Sequence, residues 1–561
     1  MGFCNLVSLG TVMHCYVHFI ICDNFTLDFC YCYREVNSMV RSVSPTMTLM
    51  DKILRREIRR FHQNVDRLSP VLGSGHHLPS DLARSILSSR SLALSCPHQY
   101  QAKLSPPEVT NMLKGNEYTN ANLPYGPVKS FDTNTLQSNN PIEDSQSHAM
   151  LNKAQGEASY LFGIFDGHGG ASCGQVVAKR LFHYIAAGLL SSQDLSDHIT
   201  SVTNVPAKDF FEKPGYSLIK NFNDHFGLVQ DLRDLYYETY KEYLKKLHSK
   251  QIELGRTESL VNVEEILINS FLSLDNDMSM EAQRRLFNES GELRQINMKT
   301  ATVAMSGCVA VAAYIDGPHL SIASTGDCTA VVGSLSDTDT WLAKKLTSEH
   351  NSDNQKEVKR ILSEHPENEH HHIIKGDRLL SILAPLRAFG DFKFKWDRST
   401  IEETLGVHLG EHACPPNYKT PPYLTARPDI THHRLSPRDK FMVLGSDGLW
   451  DMMTPMQVVR LVGEHMSGKT TLSPLQLSDN NIPLKDIAEM LKKRQDAMRV
   501  KPTDVNAATH LIRNALGGTA YGVDHSRLSQ MLSLPQDMVR MFRDDITIHV
   551  VFFDEEYLRT C

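Results

Sequence analysis

The residues whose types and spacing could do chemistry are acidic, and they stand at turns. Glu143 and Asp144 precede a polar stretch, and Asp166 opens Asp166-Gly167-His168-Gly169-Gly170. Asp327 follows Ser324-Thr325-Gly326, Asp447 precedes Gly448-Leu449-Trp450-Asp451, and Asp544-Asp545 stands just before an apolar run at 546–553. Taken alone, an aspartate at a strand end usually hydrogen-bonds its own backbone in a turn. Taken together, carboxylates converging from several strand ends make a hard-oxygen site suited to magnesium or manganese. Two such ions side by side activate water for in-line attack on phosphorus. The glycines after Asp166 would let the backbone come close to an ion. That glycine run fits no nucleotide loop, because it has neither a Gly-Lys-Ser/Thr ending nor GxGxxG spacing. Glu369 with His370-His371-His372 reads as a solvated loop, since neighbours in sequence rarely converge on one ion. Cys30 and Cys32 are too close together for a usual zinc pair.

Elements that end at these turns must position them. Short apolar runs bounded by turn residues predict strands at 160–165, 309–315, 320–323, 441–444 and 546–553. Asp316-Gly317 predicts a hairpin between the second and third of these. Residues 172–190 predict a helix with Val176, Val177, Leu181, Tyr184 and Ile185 as its buried face. Residues 228–248 and 263–286 predict surface helices. Pro415, Pro416, Pro421 and Pro422 mark an irregular surface loop. Strands, long helices, a hairpin and further strands in that order suit a layered chain with largely antiparallel sheets, not a strict βαβ alternation.

The whole chain is compatible with this reading. It has 561 residues, 41% of them apolar and 22% charged, with a formal net charge of -7. Reading nucleic acid through its backbone would call for the opposite charge balance. The 11 cysteines, five of them in the first 32 residues, do not form a disulfide framework and point to a reducing compartment. Residues 1–38 form an apolar, cysteine-rich extension whose first basic residue is Arg34. It lacks the positive charge of a secretory signal, and Asp23 and Asp28 interrupt it as a membrane span. From Met39 the character changes. Leu49, Ile53, Leu54, Ile58, Phe61 and Val65 recur at helical spacing among Arg55, Arg56, Arg59 and Arg60. An amphipathic, Arg-rich segment of this kind is expected of a mitochondrial presequence, so residues 39–103 are assigned to presequence and Ser-rich linker, and 104–555 to the catalytic domain with insertions.

At the acidic turns the chain resembles the metal-dependent protein serine/threonine phosphatases. The resemblance is carried in order by Ile142-Glu143-Asp144, Asp166-Gly167-His168-Gly169-Gly170, Thr325-Gly326-Asp327, Arg387-Ala388-Phe389-Gly390-Asp391, Ser446-Asp447-Gly448-Leu449-Trp450-Asp451 and Arg543-Asp544-Asp545-Ile546-Thr547. It implies an α+β layered fold, an α-β-β-α sandwich of two mainly antiparallel sheets flanked by helices, with two Mg2+ or Mn2+ ions in a cleft at one edge. It implies Asp166, Asp447 and Asp544 as side-chain ligands, with Asp166 bridging, and the Gly167 carbonyl as a further ligand. Glu143 would ligate directly or through water, Asp144 would orient water, and Asp327 would hold a weaker third ion. His168 would be the general acid that protonates the serine leaving oxygen, a role suited to an imidazole.

Further stretches, among them 421–426, 506–513 and 531–535, are similar to the mitochondrial branch of that family that acts on pyruvate dehydrogenase. This similarity implies the phosphorylated pyruvate dehydrogenase alpha subunit as substrate and the mitochondrial matrix as location. It also implies a calcium-dependent contact with the lipoyl domain of the dihydrolipoamide acetyltransferase core, and a separate regulatory subunit. The sequence has no EF-hand loop, so calcium would sit at a partner interface. Asn139 stands where the broader family often has a phosphate-gripping arginine. Ser306-Gly307-Cys308-Val309 and Asp327-Cys328-Thr329 also depart from the common versions. These departures bear on substrate grip and leave the ligand set intact.

Overall fold

The computed structural model describes residues 103–151, 158–203, 205–212, 216–221, 231–253, 262–284, 297–406, 410–472, 475 and 482–561. The extension 1–38 and residues 39–102 of the expected presequence and linker lie outside them. Within the unit Tyr100–Cys561, strands β1 (Tyr118–Asn120), β2 (Val128–Leu136), β3 (Ser145–Leu151), β4 (Ser159–His168), β5 (Ile219–Asn221), β6 (Gly307–Asp316) and β7 (His319–Thr325) come first. They are followed by β8 (Thr329–Leu335), β9 (Trp341–Lys345), β10 (Phe389–Gly390), β11 (Asp429–Arg434), β12 (Asp439–Gly445) and β13 (Ile546–Phe553). One sheet runs β1-β2-β13-β12-β8-β9. The other runs β11-β7-β6-β4-β3-β5, with β10 paired to β6. Every pairing in both sheets is antiparallel.

The residue pattern explains the placement. The run from Gly307 to Ile315 has no polar alternation, and all nine of these β6 residues are buried. Such a strand belongs in a sheet covered on both faces. Gly317, at φ 52°, turns the chain tightly enough for Asp316 to pair with His319, as the hairpin signal required. All five strands expected from apolar runs are present, four within a slightly longer element and the last at its expected bounds, Ile546–Phe553.

Helices cover both outer faces. They are α1 (Pro106–Leu113), α2 (Ser172–Gly188), α3 (Ser192–Thr203), α4 (Arg233–Glu253), α5 (Val263–Gln283), α6 (Met298–Met305), α7 (Gln355–Ser363), α8 (Pro455–Ser467), α9 (Leu484–Met498) and α10 (Ala507–Gly517). Helix α2 packs on β3 and β4, and α5 packs on α2. On the other sheet, α8 contacts β9 and α10 contacts β2 and β13. Val331, Phe441, Val443, Ile548 and Val550 meet Val458, Val462, Leu511 and Ile512 in one apolar cluster there, while a second cluster fills the space between the sheets and under α2.

Three expectations are revised in detail. The predicted surface helices at 228–248 and 263–286 are α4 and α5, and each buries a face. Tyr236, Tyr237, Tyr240 and Tyr243 are inside on α4, and even Asp275 and Glu281 are inside on α5. His370-His371-His372 begins a short helix, His370–Ile373, in place of the expected loop. The proline-rich segment is irregular as expected, but it is not purely superficial: Tyr418 and Tyr423 are buried.

Candidate active site

Strand register brings the acidic turns to one edge. Ser145 at the start of β3 pairs with Phe165 near the end of β4, and His168 pairs with Gly307 at the start of β6. In the other sheet Gly445 at the end of β12 pairs with Thr329 at the start of β8 and with Ile548 near the start of β13. The segments 138–144, 166–170, 325–328, 446–447 and 543–545 therefore share one end of the sandwich.

Four of the anticipated carboxylates converge there. Burial, then repulsion from Asp144, Asp447 and Asp327, pushes the Asp166 carboxyl well above its ordinary range. Asp447 is raised to about 8 by burial and by Asp327, Asp451 and Asp144. Asp144 is raised to about 7, chiefly by burial, although Ser446 Oγ donates to its Oδ2 at 2.8 Å. Asp327 is raised for the same leading reason. Asp447 Oδ1 is buried and has no hydrogen-bond partner among the described residues. Like charges that each pay desolvation in one place call for a cation.

The other anticipated ligands sit around this group. A Cβ on Gly167 would come within 2.5 Å of the Glu143 carbonyl oxygen, so only glycine lets the 142–144 loop lie this close to β4. The Glu143 side chain points to the glycine turn, where its Oε1 accepts from the Gly170 N–H at 2.6 Å. Asp544 pairs with Arg540 and accepts from the Asp545 N–H at 2.7 Å. Its carboxylate is engaged there. Among the described residues no three His, Cys, Asp or Glu side chains close on a single point tightly enough to hold an ion. The donor set nevertheless fits hard divalent ions, being carboxylates and a carbonyl with an orphaned oxygen at its centre.

His168 Nε2 lies 2.5 Å from Asp391 Oδ2. Burial alone would depress the imidazole, but Asp391, with Asp327 and Glu143, outweighs it and the net shift is upward. Asp391 holds a left-handed conformation, φ 50°, with its N–H donated to Ser306 O at 2.9 Å. A Cβ on Gly307 would overlap both members of the pair. The glycine in the departing Ser306-Gly307-Cys308 segment is thus what admits them.

Two functional features escaped the sequence reading. Asp545 is buried and accepts four hydrogen bonds from the loop opposite: from Ser138 N at 2.5 Å, Asn139 N at 2.9 Å, Asn139 Nδ2 at 2.9 Å and Glu143 N at 2.9 Å. It is a strut that carries the Glu143-Asp144 loop. Asn139, expected at the phosphate, is the other half of that strut, and its amide also reaches Asp544 at 3.3 Å. The second feature supports the Asp327 turn. Buried His350 accepts from the Gly326 N–H at 3.0 Å and lies 3.1 Å from Asp429. Arg387 holds Asp429 at 2.8 Å and forks onto Glu357 of α7 at 2.7 and 2.8 Å. The acidic residue doublet at 544–545 was a visible signal, but which of the two would face inward was not.

With this geometry in place, similarity to known proteins assigns the class. A family model for protein phosphatase 2C matches residues 217–493. That stretch holds Asp327, Asp391 and Asp447. The chain is 41% identical over 466 residues to mitochondrial [pyruvate dehydrogenase [acetyl-transferring]]-phosphatase 1 of Bos taurus, covering 80% of this chain and 83% of that one. It is 38% identical over 528 residues to the human mitochondrial phosphatase 2 of the same description, covering 90% and 94%. The yeast phosphatase 1 is 30% identical over 460 residues, covering 76% and 68%. The chain belongs to the protein phosphatase 2C family and is a protein serine/threonine phosphatase. The family depends on Mg2+ or Mn2+ in general.

Proposed function

We propose that this enzyme removes phosphate from serine of the pyruvate dehydrogenase alpha subunit in the mitochondrial matrix, and so reactivates it. The observation that carries the reading is similarity over 80–90% of the chain to relatives named as pyruvate dehydrogenase phosphatases. The Arg-rich stretch between Met39 and Val65 supports the location.

In this reading Asp166, Asp447, Asp544 and the Gly167 carbonyl would hold two divalent ions, Glu143 would join them directly or through water, Asp144 would orient water, and Asp327 would hold a weaker third. Bound ions supply a water-derived nucleophile at neutral pH and offset phosphate charge. The chain's own residues do the rest. Asp545 and Asn139 fix the loop that presents Glu143 and Asp144. His168, oriented by Asp391, holds a proton on its ring and delivers it to the serine oxygen as the P–O bond breaks. Asn139 offers a phosphate dianion less than the fork of an arginine would, so affinity for the target has to come from docking. The lipoyl domain of the acetyltransferase core and a regulatory subunit are the proposed docking partners, with calcium at the interface.

The test is phosphate release from purified phosphorylated pyruvate dehydrogenase complex, with and without magnesium, beside a panel of other phosphoproteins. Magnesium-dependent release from the complex in preference to the panel is the expected result. Equal rates on all substrates would reject the substrate assignment, and no release from any would leave a binding protein on the same fold. Expression from Met1 and from Met39 with a C-terminal tag tests location. Matrix import of the Met39 form is expected, and a cytosolic location of both forms would defeat it.

A further inference from the structure

Helix α9 is packed unlike the others. Of its 15 residues only Arg494 is buried. Arg494 donates to the Ala520 carbonyl of the ribbon formed by Gly518–Thr519 and Gly522–Val523. Met490 and Ala497 lie half-buried on the same side. The helix is thereby anchored along one face.

Beside that face runs an apolar stripe that the rest of the described chain does not cover. At 3.6 residues per turn, Leu484, Ala488, Leu491 and Met498 fall on one strip, with Gln495 its one polar member. Leu484 is 83% exposed, Leu491 53% and Met498 47%, and Val500 just beyond the helix is 63% exposed. Scattered single apolar residues need no explanation, but a contiguous row marks an interaction surface.

The charge beside the stripe says what fits it. Lys485, Lys492 and Arg499 are spaced by seven, so they form a single basic row along the outer flank, and all three are exposed. Asp486, Glu489 and Asp496 lie farther round, with Lys493 among them, and Asp496 sits 3.4 Å from Arg499 of the basic row. A second copy of α9 laid antiparallel would set this basic row against itself, with Lys492 facing Lys492, which opposes self-pairing. A membrane-surface helix carries Lys and Arg over its polar face, whereas here three acidic residues occupy much of it.

We propose that α9 is a docking helix for an acidic amphipathic protein segment, one with apolar residues at heptad spacing flanked by Asp or Glu. The apolar stripe supplies affinity and the basic row selects the sign and register of the partner. This face lies beside the Gly518–Val523 ribbon, which itself packs on α10, and contains none of the residues assigned to hydrolysis.

The experiment uses the full chain and two synthetic helical peptides of three heptads. Both carry Leu at the core positions, and the flanks are Glu in one and Lys in the other. Anionic phosphatidylserine vesicles serve as a third probe. The Glu peptide is expected to bind at least tenfold more tightly than the Lys peptide at low salt. Leu491→Glu should weaken it at least tenfold, and Lys485→Glu with Lys492→Glu should reverse the preference between the peptides. Hydrolysis of nitrophenyl phosphate should be unchanged in both variants, which reports that they are folded. Equal binding of the two peptides, or a preference that survives the double charge reversal, overturns the proposal. Vesicle binding without peptide discrimination also overturns it, in favour of a membrane surface.

Discussion

Two sets of buried charge lie close to β4 and are handled in opposite ways. Under α2, Arg180 and Glu281 are both about 3% exposed and meet in a fork of two 2.8 Å hydrogen bonds. Tyr184 donates to Asp277 beside them at 2.8 Å. Lys395 and Asp275 repeat the arrangement at 2.7 Å, with the Gly390 N–H as a further donor at 2.9 Å. At the end of β4, Asp144, Asp166, Asp327 and Asp447 are gathered together, and each is pushed upward, first by burial and then by neighbouring carboxylates. The first set is complete in itself and joins elements. The second carries a penalty that a proton or a bound cation relieves, which leaves the carboxylates free to take up an ion.

The largest effect should come from breaking the second set. Asp166→Asn is expected to lower protein phosphatase activity by at least about 10^3-fold, equivalent to about 4 kcal/mol of lost transition-state stabilisation. The same change removes a repelling charge, so the melting temperature in chelator should rise. A fall in that temperature would erase the contrast between the two sets.

Breaking the first set should do the reverse. Glu281→Ala leaves Arg180 buried and unpaired, at a cost of about 3–5 kcal/mol in urea unfolding, with turnover per folded molecule retained. Replacing both members by apolar residues, Arg180→Met with Glu281→Leu, should recover most of that loss. If the double variant is as unstable as the single one, the pair contributes something beyond compensated charge.

Asp545 is the case between them, a carboxylate in the site that is fully answered by donors. Asp545→Asn turns an amide N–H toward donors and should cost about 1.5–3 kcal/mol. Its activity loss should shrink as magnesium is raised, because the residue acts through the loop that presents Glu143 and Asp144. A loss independent of magnesium would contradict the strut role.

The smallest expected effect lies at Asp439. Burial raises it, but hydrogen bonds from His433, Ser334 and Ser436 outweigh this and hold it at about 2, below the ordinary 3.8. Its contribution is complete above about pH 4 and is lost as the pH falls through about 2. Asp439→Asn should therefore flatten the stability profile between pH 4 and pH 2. An unaltered acid slope would exclude it as a source of acid sensitivity.

Much of this was readable from the chain because its signals are local. Strands such as β6 and β13 are nearly continuous apolar runs, and Asp316-Gly317 is a turn in any context. Strands β2, β3 and β11 were missed for a physical reason. Val128-Lys129-Ser130-Phe131-Asp132-Thr133, Ser145-Gln146-Ser147-His148 and Asp429-Ile430-Thr431-His432-His433 carry polar side chains whose partners lie far away in sequence. Asp132 accepts from the Ala507 N–H, and His549 lies 2.6 Å from Gln146. The convergence of the acidic turns was likewise inferred from order and resemblance, not from spacing. The roles of Asp545, Asn139 and His350 were hidden because each depends on contacts across the sandwich. The same holds for the burial of α4, where tyrosines at helical spacing read as a surface until α3 is seen packed against them.

Strand β13 is the last strand in chain order, yet it lies at the centre of its sheet, between β2 and β12. Until its residues emerge from the ribosome, or clear an import channel, β2 and β12 present raw edges to each other across a gap one strand wide. Such edges are templates for pairing with the wrong chain. Contacts between residues near 130 and near 550 also impose a long search before they reward the chain. Synthesis and activation are thereby locked together: a nascent or clipped chain that lacks these eight residues has no closed sheet, and its Asp545 has no strand to hold it against the 138–144 loop. It is a client for chaperones, not a weak phosphatase.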